Sequence, residues 1–182
     1  YGAIADWFDS ELVSELSLIQ PNWKFILIGS TFNANMSPLA KQSNIEFKGE
    51  QPYADLPTLI KSWDCCIIPF KRLPLTEATN PVKIYEMLAA GKPVVAVALP
   101  ELIAISDNRL IALADTAQSF ADAIELEVLH DCTVRQNERR NFAKKNTWII
   151  RYIELDQEIR QLFPLVSIIV VTFNNFSLTR LC

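Results

Sequence analysis

Glycine is scarce in this chain and histidine nearly absent: four glycines and one histidine stand among 182 residues. None of the glycines forms a G-x-G-x-x-G turn or a P-loop, which argues against dinucleotide or phosphate binding through those devices. The single His130, beside Asp131 in a loop-like stretch, argues against a His-rich metal site or a complete catalytic triad within the chain. Positive charge is also lacking. A net charge of -4 argues against a nucleic-acid-binding domain as the main role. No apolar run approaches the roughly 20 residues needed to cross a bilayer, so no transmembrane segment is expected. The four cysteines, Cys65, Cys66, Cys132 and Cys182, lack metal or redox spacing. Reduced thiols and a cytoplasmic setting are the expectation. There is no signal-peptide pattern and no initiator methionine. Tyr1 opens in what reads as the middle of a strand, so the chain is expected to be cut from a longer protein.

Half of the residues are hydrophobic and 21% are charged, an ordinary balance for a folded domain. Short apolar runs alternate with helical segments. The spacing predicts strands at Tyr1–Ile4, Lys24–Ile28, Ile45–Lys48, Cys65–Pro69 and Pro93–Val97, with a weaker one at Leu110–Ala112. Helices are predicted near Asp9–Gln20, Asp55–Ser62, Pro81–Ala90 and Thr116–Leu129. Such alternation implies an α/β fold with a doubly wound parallel sheet covered on both faces. From Thr133 to Leu162 the pattern is helical. Trp148, Tyr152, Leu155, Ile159 and Leu162 form one apolar stripe, the face of a long terminal helix that packs on a core. Phe163-Pro164 then breaks the helix.

The stretch from Thr79 to Ala96 is the most informative. Asn80 is a good helix N-cap, Pro81 suits the first helical position, and Gly91 with Pro93 marks the stop. Lys83 is the exception, because a cation in the first turn opposes the helix dipole. An anion held there would resolve the conflict. In open parallel sheets ligands bind beyond the carboxyl ends of strands, and the polar connection Lys71–Asn80 leaves one such end. A phosphate is the natural ligand, accepted by N–H groups near Val82 and Lys83 and by the Lys83 side chain. Glu86 lies three positions after Lys83 on the same face, where it suits a pair of sugar hydroxyls. The plain alternative is an exposed Lys83–Glu86 ion pair, stabilising the helix by about 0.2–0.5 kcal/mol.

At these residues the sequence resembles the C-terminal domain of a GT-B glycosyltransferase of the retaining family 4, or group 1. The matching pieces are Trp23–Gly29, Asn44–Gly49, Leu56–Phe70 and above all Asn80–Val95, in family order. The resemblance implies a Rossmann-like half that binds a nucleotide-sugar donor, with UDP or GDP as carrier and long helices at its C-terminal end. It also implies that Glu86 holds the ribose hydroxyls, that Thr79, Asn80, Pro81, Val82 and Lys83 face the diphosphate, and that Gln51 and Tyr53 lie near the base. Lys83 and Glu86 are the expected catalytic residues. No cofactor and no metal are implied. Two positions depart from the family pattern. Counting back eight from Glu86 reaches Ala78, where the family's first glutamate stands, and Ala5-Asp6-Trp7 replace the usual basic residues after the first strand.

The tail Val166–Asn175 resembles the first strand and turn of a family 2, GT-A glycosyltransferase. The expected organisation is therefore a donor-binding domain over residues 1–163, then a linker and the start of a second domain over 164–182. The expected function is transfer of a sugar from a nucleoside diphosphate to an acceptor alcohol, the isolated chain turning over little or nothing. The expected partners are a nucleotide sugar, an N-terminal acceptor-binding domain and the downstream GT-A domain of the same parent chain. A nucleotide-sugar 2-epimerase and a non-catalytic α/β binding module are the competing readings.

Overall fold

The computed structural model describes residues 1–162. It forms an α/β fold of short parallel strands and covering helices. Helix α1 (Ser10–Ile19) starts where the Asp9 carboxylate accepts from the Leu12 N–H at 3.0 Å, and it buries Leu12, Val13 and Leu16. Strands β1 (Phe25–Leu27) and β2 (Ile45–Phe47) pair in parallel, Phe25 opposite Ile45. A 3-10 turn at Tyr53–Asp55 leads into α2 (Leu56–Lys61). Strand β3 (Cys66–Ile68) is followed by the single-turn α3 (Pro74–Glu77) and by α4 (Lys83–Ala89). Strand β4 (Val94–Ala96) pairs in parallel with β3 and with β5 (Ala112–Leu113), which α5 (Pro100–Ser106) precedes. Helices α6 (Ala117–Leu129) and α7 (Thr133–Lys145) complete a first unit of residues 1–145.

The core centres on β4. Val94, Val95 and Ala96 are fully buried, and both α4 and α6 pack against them. That explains the unbroken apolar run Val94–Val97, which a strand buried on both faces requires. Helix α7 packs along α4, with the rings of Tyr85 and Phe142 stacked 6.2 Å apart.

Several expectations change in detail. The continuous sheet is two sheets, β1–β2 and β3–β4–β5. The opening segment is not a strand but meets the end of β1: the Gly2 N–H donates to the Ile28 carbonyl and the Ile4 N–H to that of Ser30, each at 2.8 Å, with one isolated bridge between Ile4 and Thr31. A cavity of about 860 Å³ is lined by Tyr1, Ile4, Phe25, Ile26, Cys66 and Phe70 among others. The helical stretch after Thr133 is two helices, α7 and α8 (Trp148–Leu162), interrupted at Asn146-Thr147. The chain divides between Lys145 and Asn146, and α8 belongs to the second unit. Among the described residues none of α8 is buried, and Trp148 in its apolar stripe is 70% exposed. The expected beginning of a GT-A domain lies outside the described residues. Among the described residues no helix is long and apolar enough to cross a membrane.

Candidate functional site

The carboxyl ends of β1, β2 and β3 meet the N-terminal part of α4, and backbone proximity there is extreme. The Gly29 N–H donates to the Gly49 carbonyl at 2.8 Å. A Cβ on Gly29, whose φ is +140°, would stand 1.9 Å from the Gly2 carbonyl oxygen, so only glycine permits this approach. On the other side of Gly2, a Cβ would stand 2.8 Å from the Lys83 ammonium. The opening segment, the turn after β1 and the start of α4 thus close on one point.

Lys83 occupies that point. Its Nζ lies 4.9 Å from the centroid of the Phe70 ring, over the residue that ends the β3 segment. No hydrogen bond or ion pair reaches it from the described residues, so the surface ion pair with Glu86 does not form. Burial lowers its pKa to about 8, against the opposing pull of Glu86. An ammonium held beside an aromatic face with no counter-charge is poised to receive an anion.

Glu86, one turn along α4, is engaged instead by two phenols. Tyr1 donates to Oε2 at 2.5 Å and Tyr53 donates to Oε1 at 2.8 Å. Tyr1 is half-buried, its ring tilted against Trp63 at 6.0 Å, whereas Tyr53 is 72% exposed on the turn after β2. Burial and the hydrogen bond to Glu86 both push the Tyr1 phenol pKa upward, and the hydrogen bond to Glu86 raises that of Tyr53. Each phenol therefore remains a donor through the neutral range.

The remaining predicted site residues fall less tightly together. Helix α4 begins at Lys83 with Val82 in the cap position, so Asn80 is not the N-cap and Pro81 is not the first helical residue. Asn80 is drawn away: its Nδ2 lies 3.3 Å from a Glu101 carboxylate oxygen and 3.4 Å from the Tyr85 hydroxyl. Its Oδ1 is buried without a partner among the described residues. Pro81 is buried and Val82 exposed, and the Thr79 hydroxyl donates to the Leu75 carbonyl at 2.6 Å. Gln51 is exposed and bonded to the Lys48 carbonyl. In the connection from β3, Arg72 pairs with Glu77 at 3.4 Å, while the buried Thr76 donates to the Lys71 carbonyl and accepts from the Leu73 N–H. The structure thus unites Lys83, Glu86 and Tyr53. It adds Tyr1, Gly2, Gly29 and Phe70, which sequence reasoning did not single out. Among the described residues no group of three His, Cys, Asp or Glu side chains gathers as a metal site would.

Residues 5–131, well over half of the chain, match the family model described as glycosyl transferases group 1. This chain belongs to the group 1 glycosyl transferases. Within the curated proteins, TuaH of Bacillus subtilis (strain 168), which carries the name of a teichuronic acid biosynthesis glycosyltransferase, is 31% identical over 102 residues. That match covers 54% of this chain and 26% of TuaH. Two solved structures share the fold. Anabaena HepE, in complex with UDP and glucose, is similar over 91% of this chain and 48% of its own, with a TM-score of 0.59 and 18% identity. Sucrose-phosphate synthase from Thermosynechococcus elongatus gives a TM-score of 0.66 and 19% identity, covering 90% of this chain and 45% of its own. This group 1 glycosyl transferase chain therefore spans a quarter of TuaH and about half of the two solved chains.

Proposed function

We propose that this chain is the donor-binding, C-terminal half of a GT-B glycosyltransferase that moves a sugar from a nucleoside diphosphate to an acceptor alcohol. One observation carries the reading: a partly buried ammonium, Lys83, stands without a counter-ion one helical turn from a carboxylate, Glu86, at the carboxyl ends of the strands. The cation suits a diphosphate, and the carboxylate suits the hydroxyls of a ribose. As the bond to the sugar breaks, negative charge grows on the leaving diphosphate, and Lys83 stabilises it. Glu86 repels phosphate directly, so the two side chains together fix the direction in which the nucleotide lies. HepE crystallised with UDP supports UDP as the first carrier to try, with GDP beside it. Ala78 leaves no carboxylate at the position where the family's first glutamate stands, so the contact to the sugar comes from another group. In this reading the acceptor site lies in another domain of the parent protein. The free thiols Cys65, Cys66 and Cys132 fit a cytoplasmic setting.

The test is calorimetric or NMR titration of the 182-residue chain with UDP and GDP. The reading requires saturable binding of one of them, with shifts at Lys83, Glu86 and Tyr53. Absence of binding by both at millimolar concentration overturns it.

A further inference from the structure

A glutamate on an exposed helical turn ordinarily rotates freely, and a ribose that recruits it must first stop that motion. Glu86 is already stopped. Its two carboxylate oxygens accept from two separate parts of the chain, Tyr1 of the opening segment and Tyr53 of the turn after β2, 85 and 33 residues away. Both bonds are charge-assisted, and that of Tyr1 is short, the strong class for a carboxylate. Each oxygen has two acceptor positions, and one phenol occupies only one of them. One acceptor position on each oxygen is therefore left for a further donor, the number that a pair of ribose hydroxyls needs.

Resting on the donor-site reading above, we propose that Tyr1 and Tyr53 are positioning residues that lock the Glu86 carboxylate for recognition of the ribose hydroxyls. They are not identical in weight. Tyr1 is held by its packing on Trp63 and gives the shorter bond, so it is the fixed half of the clasp. Tyr53 is largely exposed on a short turn and is the exchangeable half, stabilising the same orientation less firmly. Both phenols act through Glu86. Their effect is confined to how well the ribose is told from a sugar lacking a hydroxyl.

That confinement supplies the test, made on the full 182-residue chain. Dissociation constants are measured for UDP and for 2′-deoxy-UDP, with melting temperatures recorded in parallel. The wild-type chain is expected to prefer UDP by about tenfold, the order of one well-oriented hydrogen bond to a charged group, and Glu86→Gln to erase most of that preference. Tyr1→Phe keeps the ring and its packing, and is expected to lower the preference to about twofold by weakening UDP alone. Tyr53→Phe is expected to lower it to about fivefold. If both phenylalanine variants keep the full preference, or weaken both nucleotides equally, the phenols serve packing only and the clasp is refuted while the donor site stands. If the wild-type chain binds UDP without any preference over the deoxy analogue, Glu86 does not hold the ribose, and the clasp falls with that assignment. If it binds neither, the donor-site reading itself falls, taking the clasp with it.

Discussion

Two clusters of charge sit within one domain and are built on opposite plans. Around Arg139, almost completely buried, every charge is answered: Glu127 at 3.1 Å, Asp131 at 2.5 Å and the Gly91 carbonyl at 3.2 Å all accept from the guanidinium. Arg135 adds a second cation on Glu127 at 2.9 Å. Burial alone would raise the Asp131 pKa, but hydrogen bonds from Arg139 and Gln136 outweigh it and hold the carboxyl below its ordinary value. Around Lys83 the charges are left open. The ammonium stands beside the Phe70 ring and Gly2, with no ion pair among the described residues, and the neighbouring carboxylate is met by neutral phenols. A closed cluster fastens elements together; here it ties α6, α7 and the turn after α4. An open cluster leaves electrostatic work for a ligand.

Breaking the closed cluster should affect folding first. Arg139→Met leaves Glu127 and Asp131 without their buried cation, and removing one partner of such a network costs about 3–5 kcal/mol. Urea denaturation should show this loss, while UDP affinity, measured where the variant is still folded, stays near the wild-type value. A variant that is stable but loses the nucleotide would erase the distinction between the two clusters.

Breaking the open cluster should do the reverse. Lys83→Ala removes a desolvated cation that no ion pair reaches among the described residues, so stability should not fall. If the proposed function holds, sugar transfer by a longer protein carrying this domain should drop by about 10²–10³-fold, the scale for losing one group aimed at developing charge. Steady-state rates on the parent protein decide it. A variant that melts early yet transfers normally would make Lys83 a structural residue.

The contrast also explains what was legible in the residues. The α4–Gly91–β4 succession could be read because one apolar run must be buried on both faces and glycine stops a helix. Lys83 could be noticed because a cation in a first turn breaks a local rule. The details at the helix start could not, because the Asn80 side chain is drawn toward Glu101, 21 residues on, and not to the N–H groups beside it. Tyr1 was invisible for the same reason: in the sequence it is only a strand residue, and its partner lies 85 positions away. Arg139 belongs to a run of charges, Glu138-Arg139-Arg140, whose ordinary fate is solvent, and only the tertiary packing of α7 on α4 buries it. Local signals thus reveal elements and anomalies. Long-range hydrogen bonds, which complete the site, leave no mark in spacing. The stripe on α8 shows the converse limit, since apolar periodicity indicates a face without indicating what that face meets.

The smallest effect is the most specific, because it titrates the open cluster directly. Burial lowers the Lys83 pKa to about 8, from an ordinary lysine value of 10.5. Between those values the unfolded chain binds more protons than the folded one. Stability contributed by this group therefore rises with pH across that window, and the burden of the buried charge is complete only below pH 8. Ligand binding responds in the opposite direction. A diphosphate selects the charged ammonium, so its binding above pH 8 must draw a proton from solvent. The loss of the charged ammonium should leave UDP affinity nearly level up to about pH 7 and weaken it about fivefold between about pH 8 and pH 9. In calorimetry the binding enthalpy should then depend on the ionisation heat of the buffer, reporting proton uptake. Lys83→Met, which keeps the length of the side chain and loses the charge, should bind more weakly at neutral pH and show neither the slope nor the buffer dependence. The same slope in both proteins would place the titrating group elsewhere and leave Lys83 a bystander to the diphosphate.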